Sequence, residues 1–328
     1  MSAEAVRPSH YRMTRYEAHN TWMLSENCSD WESHYEQLTS VPFRSQVLDA
    51  RLGPMQVFCE EVNSPFRFRG RAWQGSRVFS VFLAGTGDLY SNNRPLPANA
   101  LVSHRWDTVE RLSCKGRYAV ASIVLDEDFL RRYADRVAGE RFVPDRHHAL
   151  ILSSDSAVVS NFQRNILDVL RDLAAAPDVL ANECVRRTLQ DSVLSTLMEA
   201  LEASSGSADP LPPPTTRAYV VDKAIRFMES RLAASIVIAE VCEEVRVSPR
   251  TLRYSFEEVL GVSPTRYLLV RRLNQVRQEL SICESPTLIE EIALRSGFWH
   301  MGRFAQFYRQ TFGERPSDTR RRVDAMSS

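Results

Sequence analysis

Hydrophobic and polar positions follow two different periods along this chain. Between residues 46 and 125, short apolar runs at 55–59, 78–83 and 119–125 are separated by turn-forming segments such as 63–65, 85–87 and 91–97. Short strands at about ten-residue spacing are typical of a β-sandwich or a β-barrel. A barrel of this kind can enclose a small ligand.

From residue 157 onward the apolar period is that of an α-helix. Residues 157–176 and 178–203 each repeat apolar side chains three and four positions apart, and Pro177 separates them. This pattern predicts an antiparallel helical hairpin. Two roles fit its apolar rows: a cap over the core formed by the preceding strands, or a dimer interface between two copies of the chain.

Residues 204–216 read SSGSADPLPPPTT and predict a linker. Small residues give flexibility, and the prolines that follow cannot continue a helix and favour an extended spacer. The chain therefore divides into residues 1–203, the linker, and residues 217–323. We expect few contacts to cross between the two larger parts.

Beyond the linker the pattern predicts only helices. A helix over 219–232 precedes a short helix at 238–245, and Ser248-Pro249 then gives the cap and first position of a third helix, which Gly261 ends. Two helices joined by so short a turn form a helix-turn-helix. The second of them exposes Arg250, Thr251, Arg253 and Tyr254.

A second helix-turn-helix follows a long helix that starts at Ser263-Pro264. The sequence T-x-x-E at Thr287–Glu290 predicts a capping box, Gly297 supplies a turn, and a last long helix runs to Phe312. The long helix between the two motifs has about 21 residues and so spans roughly 30 Å. Successive major grooves on one face of DNA lie roughly 34 Å apart. The alternative is a plain helical bundle whose turns fall at this spacing by coincidence. The two capped turns favour the tandem helix-turn-helix.

Charge adds one asymmetry to this picture. The whole chain is neutral, with 41 basic and 41 acidic residues, but residues 217–328 hold 18 basic and 14 acidic side chains, a net charge of +4. A basic C-terminal part favours a polyanionic partner.

No run approaches the roughly 18 apolar residues of a membrane span. The chain start lacks the apolar core of a signal peptide, and six unpaired-looking cysteines favour a reducing compartment. We therefore expect a bacterial or archaeal cytoplasmic protein without a membrane partner.

Candidate catalytic chemistry is sparse. Residues 46–125 contain no H-x-H pair, no nucleophile elbow and no phosphate-binding loop. The lone His104 predicts a surface or hydrogen-bonded histidine rather than a metal ligand. We expect neither a catalytic site nor a metal site nor a cofactor, and hence no enzyme.

The stretch IEEIALRSGFWHMGRFAQFYRQTFGERP, residues 289–316, resembles the signature of the AraC/XylS family of bacterial transcription regulators. The resemblance covers residues 219–323 and is strongest to the branch that contains the XylS and ethanolamine-operon regulators. It rests on Arg272, Leu273, Val276, Leu280, Ile289, Ile292, Ala293, Gly297, Phe298, Phe304, Phe307, Phe312, Gly313 and Pro316. Residues 73–104 are similar to the cupin-like sensing region of such regulators, without its metal ligands.

The resemblance implies an α+β protein: a cupin-like β-barrel or sandwich with a helical hairpin, followed by an all-α domain with two tandem helix-turn-helix motifs. It implies a regulator, expected to be an activator, that binds promoter DNA, contacts RNA polymerase, responds to a small-molecule effector and forms a homodimer. The family's base-reading positions fall on Arg250, Thr251, Arg253, Tyr254, His300, Met301, Arg303 and Gln306. Arg271, Arg272 and Arg277 are expected at phosphates or in solvent.

Two positions depart from the family pattern. Arg246 stands where glycine is usual in the first turn, and a left-handed conformation there would cost roughly 1–2 kcal/mol. Val237 stands where a Ser or Thr cap is common, which would lose about 1 kcal/mol. Alternatives to the effector-responsive regulator are a DNA-binding regulator without effector and a barrel enzyme with a helical appendage. A pocket inside the β-domain favours the first of these three, and a core filled by Phe and Trp favours the second.

Overall fold

The computed structural model describes residues 11–326, apart from residues 29, 84, 93, 97–99, 138–148, 153–155, 204–207, 211–214, 232–235 and 283–287. An N-terminal part rich in β-strands precedes a helical C-terminal part. Within the described residues, no helix is both long enough and apolar enough to cross a membrane.

The N-terminal part contains two antiparallel sheets. The strands are β1 (Tyr11–Ala18), β2 (Glu32–Gln37), β3 (Ser45–Leu52), β4 (Met55–Val62), β5 (Phe66–Arg71), β6 (Ser76–Phe82), β7 (Leu89–Ser91), β8 (Arg94–Pro95), β9 (Leu101–Arg105), β10 (Glu110–Cys114), β11 (Tyr118–Asp126), β12 (Ala149–Leu152) and β13 (Ala208–Pro210). The larger sheet has the order β1-β3-β4-β11-β6-β9-β12-β13, and the smaller one β2-β5-β10-β7-β8. The two sheets do not close into one barrel, so the sandwich is the form that this protein adopts.

Two expectations about this region are corrected. The strands begin at Tyr11 rather than near residue 46, because β1 pairs along its whole length with β3, from Tyr11 opposite Leu52 to Ala18 opposite Ser45. Part of the predicted linker is also not a free spacer: β13 lies within it and pairs with β12.

Successive side chains of the central strands point to opposite faces of the larger sheet, as the pleat requires. On β4, Val57 and Cys59 join the core on the outer face, whereas Phe58 points between the two sheets. The outer face is covered by α3 (Ser156–Ala175) and α4 (Glu183–Ala203), which a 3-10 turn at Pro177–Ala181 connects. Leu197, fully buried, belongs to this core. The predicted helical hairpin is therefore confirmed, and its apolar row caps the sheet of its own chain.

Two shorter helices, α1 (Thr21–Asn27) and α2 (Glu127–Val137), also belong to the described N-terminal part. The C-terminal part consists of α5 (Thr216–Ser230), α6 (Ile238–Val245), α7 (Pro249–Leu260), α8 (Pro264–Ile282), α9 (Ile289–Arg295), α10 (Met301–Phe312) and α11 (Pro316–Met326). Helices α5, α6 and α7 share one apolar core, and α8, α9 and α10 share another. Each predicted helix-turn-helix thus has its own core. The predicted capping residue Thr287 lies outside the described residues.

The two parts touch across a surface that the sequence did not predict. Leu38 and Tyr90 of the N-terminal part are buried in the core of α5–α7. The Gln37 amide donates to the Thr311 carbonyl at 3.0 Å, and Arg266 donates to the Ser40 hydroxyl at 2.6 Å. The expectation of few contacts across the linker was wrong because apolar and polar side chains of the smaller sheet pack directly on the helices.

Candidate nucleic-acid interface and effector pocket

The first recognition helix, α7, has a well-formed N-terminus. Ser248 accepts a hydrogen bond from the Thr251 amide at 3.1 Å, and Pro249 fills the first helical position, where no amide hydrogen is needed. Leu252 and Phe256 are buried beneath the helix. This fixes the outer face, which presents the predicted base-reading residues Arg250, Thr251, Arg253 and Tyr254, all exposed.

Two of these exposed side chains have partners within α7. Arg253 donates to the Glu257 carboxylate at 2.7 Å, one helical turn away, and this contact raises the pKa of the guanidinium. The Arg250 guanidinium lies 5.4 Å from the centre of the Tyr254 ring. Because both pairs are in solvent, they are weak enough to yield to a base or phosphate.

The two predicted departures lie at the two ends of α6. Arg246 has φ 59° and ψ 45°, which is the left-handed conformation. Val237 precedes α6 without a side-chain cap, as expected, but the Glu240 carboxylate accepts a hydrogen bond from the Val237 amide at 3.1 Å. Glu240 therefore restores part of the lost capping, a compensation that the sequence interpretation missed.

The second recognition helix, α10, starts after His300, which occupies the cap position without a side-chain hydrogen bond. Arg303 and Gln306 are exposed, as predicted. Met301 is only partly exposed, because it packs against the core of α8–α10. Trp299, which is not among the predicted base-reading residues, is 72% exposed directly before this helix. In the sequence, the signal for this residue is a large aromatic side chain directly before a recognition helix. The exposed Trp299 ring has no role in the core.

Helix α8 joins the two motifs and has 19 residues, so it spans about 28 Å at 1.5 Å per residue. Its arginines do not lie where they were expected. Arg277 is buried, pairs with Glu314 at 2.7 Å and stacks over Phe312 at 4.4 Å. Arg272 is partly buried beside Gly297, and burial lowers its pKa. Both residues stabilise the second motif.

Arg271 departs further from expectation, since it binds the N-terminal part. It pairs with Glu36 of β2 at 3.0 Å, and Arg67 of β5 lies 3.5 Å from the same carboxylate. Burial would raise the pKa of Glu36, but the hydrogen bond from His34 and the charges of Arg271 and Arg67 lower it to about 2. The carboxylate is therefore ionised at neutral pH and holds the two parts together.

A cavity with about 730 Å³ of empty space, its open mouth included, lies between the two sheets. Ligand pockets are typically lined by apolar and aromatic side chains with a few polar groups. Here the lining includes Trp31, Phe58, Phe66, Phe68 and Tyr118, together with Glu60 and His104. The β-domain is thus not filled solidly by its aromatic side chains.

Two polar groups of this cavity are deeply buried. Glu60 accepts a hydrogen bond from the Tyr35 hydroxyl at 2.9 Å, and burial raises its pKa to about 7. His104 is 5% exposed, and burial lowers its pKa, so the ring is neutral. Neither ring nitrogen has a protein hydrogen-bond partner. The prediction of a surface or hydrogen-bonded histidine was wrong. Among the residues that the structure describes, no cluster of three or more potential His, Cys, Asp or Glu metal ligands occurs.

Two helix-turn-helix motifs with exposed basic recognition helices define a DNA-binding domain. Comparison with known proteins agrees with this class: the family described as a helix-turn-helix domain matches residues 241–322. The XylDLEGF operon transcriptional activator 2 of Pseudomonas putida is 42% identical over 102 residues, which cover 30% of this chain and 63% of that protein. A probable thc operon regulatory protein of Rhodococcus erythropolis is 31% identical over 168 residues, which cover 51% of this chain and 50% of that one.

A solved structure, that of a probable AraC family transcriptional regulator from Rhodopseudomonas palustris, is 30% identical, with 32% of this chain and 97% of that chain covered and a TM-score of 0.31. The helical part of this chain belongs to the AraC/XylS-type family of helix-turn-helix domains. The chain spans less than two thirds of the length of either curated relative.

Proposed function

We propose that this protein is a sequence-specific DNA-binding transcription regulator, acting as an activator in the cytoplasm, whose binding responds to a small molecule. The observation that carries the proposal is the pair of exposed recognition helices, α7 and α10, whose two motifs are joined by the 19-residue helix α8. Arginines at the starts of such helices suit guanine, at roughly 1–3 kcal/mol of discrimination for each good pair. The proposed partners are promoter DNA and RNA polymerase, and the role is one of binding rather than catalysis.

The base-reading residues can be tested one motif at a time. Sequencing of the DNA bound by the protein across its native genome would define the operator. Arg250→Ala and Arg303→Ala should then each weaken binding by roughly 1–3 kcal/mol, at base pairs about one helical turn apart. Arg131→Ala, an exposed arginine of α2 that pairs with Asp128, is the matched control and should leave binding unchanged. If both variants relax the same base pairs, the tandem docking of the two motifs is wrong.

A route from the cavity to the DNA-binding part supports the effector response. Tyr35 and Glu36 are neighbours on β2, and so point to opposite faces of the strand. Tyr35 bonds Glu60 in the cavity, while Glu36 bonds Arg271 of α8. A ligand that displaces Tyr35 would therefore shift the carboxylate that holds the two parts together. An effector-independent regulator would not need this cavity.

We also propose a homodimer held by the N-terminal part. Tethering two DNA-binding parts raises the effective concentration of the second to about the millimolar range for a short linker. Because the apolar row of the α3–α4 hairpin covers its own sheet, the dimer contact would use the outer surface. A folded, monomeric protein at tens of micromolar in light scattering contradicts this proposal.

A further inference from the structure

The cavity between the sheets combines an apolar wall with an excess of acidic groups. Among the residues that the structure describes, its lining includes four carboxylates, Asp30, Asp49, Glu60 and Glu110, but only one guanidinium, that of Arg12. A ligand with a carboxylate would meet repulsion in such a site, whereas a cation would be attracted. The charge of the lining therefore favours cationic ligands over carboxylates.

Three of the four carboxylates have strong partners within the protein. Arg12 lies 3.3 Å from Asp30 and 3.7 Å from Asp49, and Arg51 lies 3.1 Å from Asp30. Glu110 accepts hydrogen bonds from Ser91 at 2.5 Å and from Asn92 at 3.2 Å. These side chains are held by the fold and need no ligand.

Glu60 is different. It is 5% exposed, one oxygen accepts from Tyr35, and the other, Oε1, is buried without a protein hydrogen-bond partner. No basic side chain pairs with it among the described residues. Burying a carboxylate without a cation or a full set of donors costs several kcal/mol. Burial alone raises the pKa of this carboxyl, with only the Tyr35 hydrogen bond opposing it.

Aromatic rings surround this carboxylate from several elements. Phe58 on the strand of Glu60, Phe66 and Phe68 on β5, and Tyr118 on β11 all line the cavity. The faces of such rings attract cations in addition to providing apolar contact. His104, neutral and with both ring nitrogens unpartnered, adds a hydrogen-bond acceptor on the same cavity wall.

We infer that the cavity binds a small organic cation: a primary amine on an aromatic or similarly flat apolar body, with its ammonium group on Glu60. The inference rests on the proposed role of the cavity as the effector site. The ammonium group supplies the charge and the donors that Glu60 lacks, and the rings enclose the apolar body. A neutral alcohol would supply the hydrogen-bond donor but not the positive charge. A carboxylate would supply neither the donor nor the positive charge.

Three probes with the same ring separate these possibilities: benzylamine, benzyl alcohol and benzoate. Calorimetric titration of the full-length protein at pH about 8, where Glu60 is ionised, should show benzylamine binding at least tenfold more tightly than benzyl alcohol. Benzoate should not bind measurably. Benzoate binding as tight as benzylamine, or no benzylamine binding at millimolar concentration, overturns the inference.

Glu60→Gln keeps the size of the side chain and an acceptor for Tyr35 but removes the charge. It should weaken benzylamine binding at least tenfold, or by about 1.4 kcal/mol or more, because the ammonium group loses its counter-charge. Benzyl alcohol binding should change by no more than about twofold, because that ligand is uncharged. The matched control is Glu61→Gln: Glu61 is the next residue on β4 and pairs in solvent with Arg117 at 2.6 Å. Benzylamine binding that survives Glu60→Gln unchanged contradicts the inference. If Glu60→Gln does not fold, the three affinities of the unaltered protein decide.

The same samples distinguish this inference from the proposed function. Sequence-specific binding to the native operator is measured separately, without probes. If operator binding is intact and benzylamine fails, only the ligand class is wrong. If the protein shows no sequence-specific DNA binding, the proposed function itself fails, whatever the probes do.

Discussion

Replacing Arg246 with glycine should stabilise the helical part of this protein. Arg246 ends α6 in the left-handed conformation, with φ 59°, where a side chain clashes with its own backbone at a cost of roughly 1–2 kcal/mol. The side chain is exposed, so no core contact is lost. Glycine is more flexible in the unfolded chain, which takes back roughly 0.5–1 kcal/mol. The expected net gain is therefore about 0.5–1 kcal/mol.

Urea unfolding followed by helical circular dichroism would measure this gain. At roughly 2 kcal/mol per molar urea, the midpoint should rise by roughly 0.4 M. Arg246→Ala is the control, because it removes the same charge while keeping a Cβ atom in the left-handed position, and its midpoint should stay near that of the unaltered protein. Equal midpoints for the glycine and alanine variants would show that the turn is not strained and that the reasoning from φ is wrong.

Three further predictions concern the N-terminal part and its contact with α8. Glu60→Gln should gain stability relative to the unaltered protein as pH rises from about 5 to 8, by at most about 3 kcal/mol in urea unfolding. The reason is that burial raises the pKa of the Glu60 carboxyl to about 7, so this group favours the folded state only while it is protonated. A pH-independent difference would contradict this. Glu36→Gln should lower the free energy of unfolding by about 1–3 kcal/mol at neutral pH, because Arg271 and Arg67 lose that charge while Glu229 remains near both. This loss should shrink as pH falls from about 4.5 towards 2, where Glu36 of the unaltered protein also becomes protonated. Leu197→Asp should unfold the N-terminal part, at about 5 kcal/mol or more, instead of producing folded monomers, because Leu197 is fully buried beneath the sheet; circular dichroism with light scattering separates the outcomes, and a folded Leu197→Asp monomer would contradict the packing described above.

Local signals in the sequence determined the helical part of this protein almost completely. Ser248-Pro249 caps α7 through a hydrogen bond between neighbours in the chain, and Gly261 and Gly313 end their helices in the left-handed conformation that glycine tolerates. The unusual Arg246 could be recognised for the same reason. Caps, turns and the 3.6-residue period depend on residues a few positions apart, so they can be predicted without the fold.

Only the tertiary structure decided what the long-range contacts do. Arg271 and Arg277 lie six positions apart on α8, and nothing local indicates that one binds Glu36 of β2 while the other stacks over Phe312. The helical hairpin had two possible partners until the strands showed which surface its apolar row covers. The sequence does not indicate the roles of Glu60 and His104, because these roles depend on burial in a cavity whose walls come from two sheets. Burial and the pairing of distant charges are set by the arrangement of strands and helices, and no local pattern of residues specifies them.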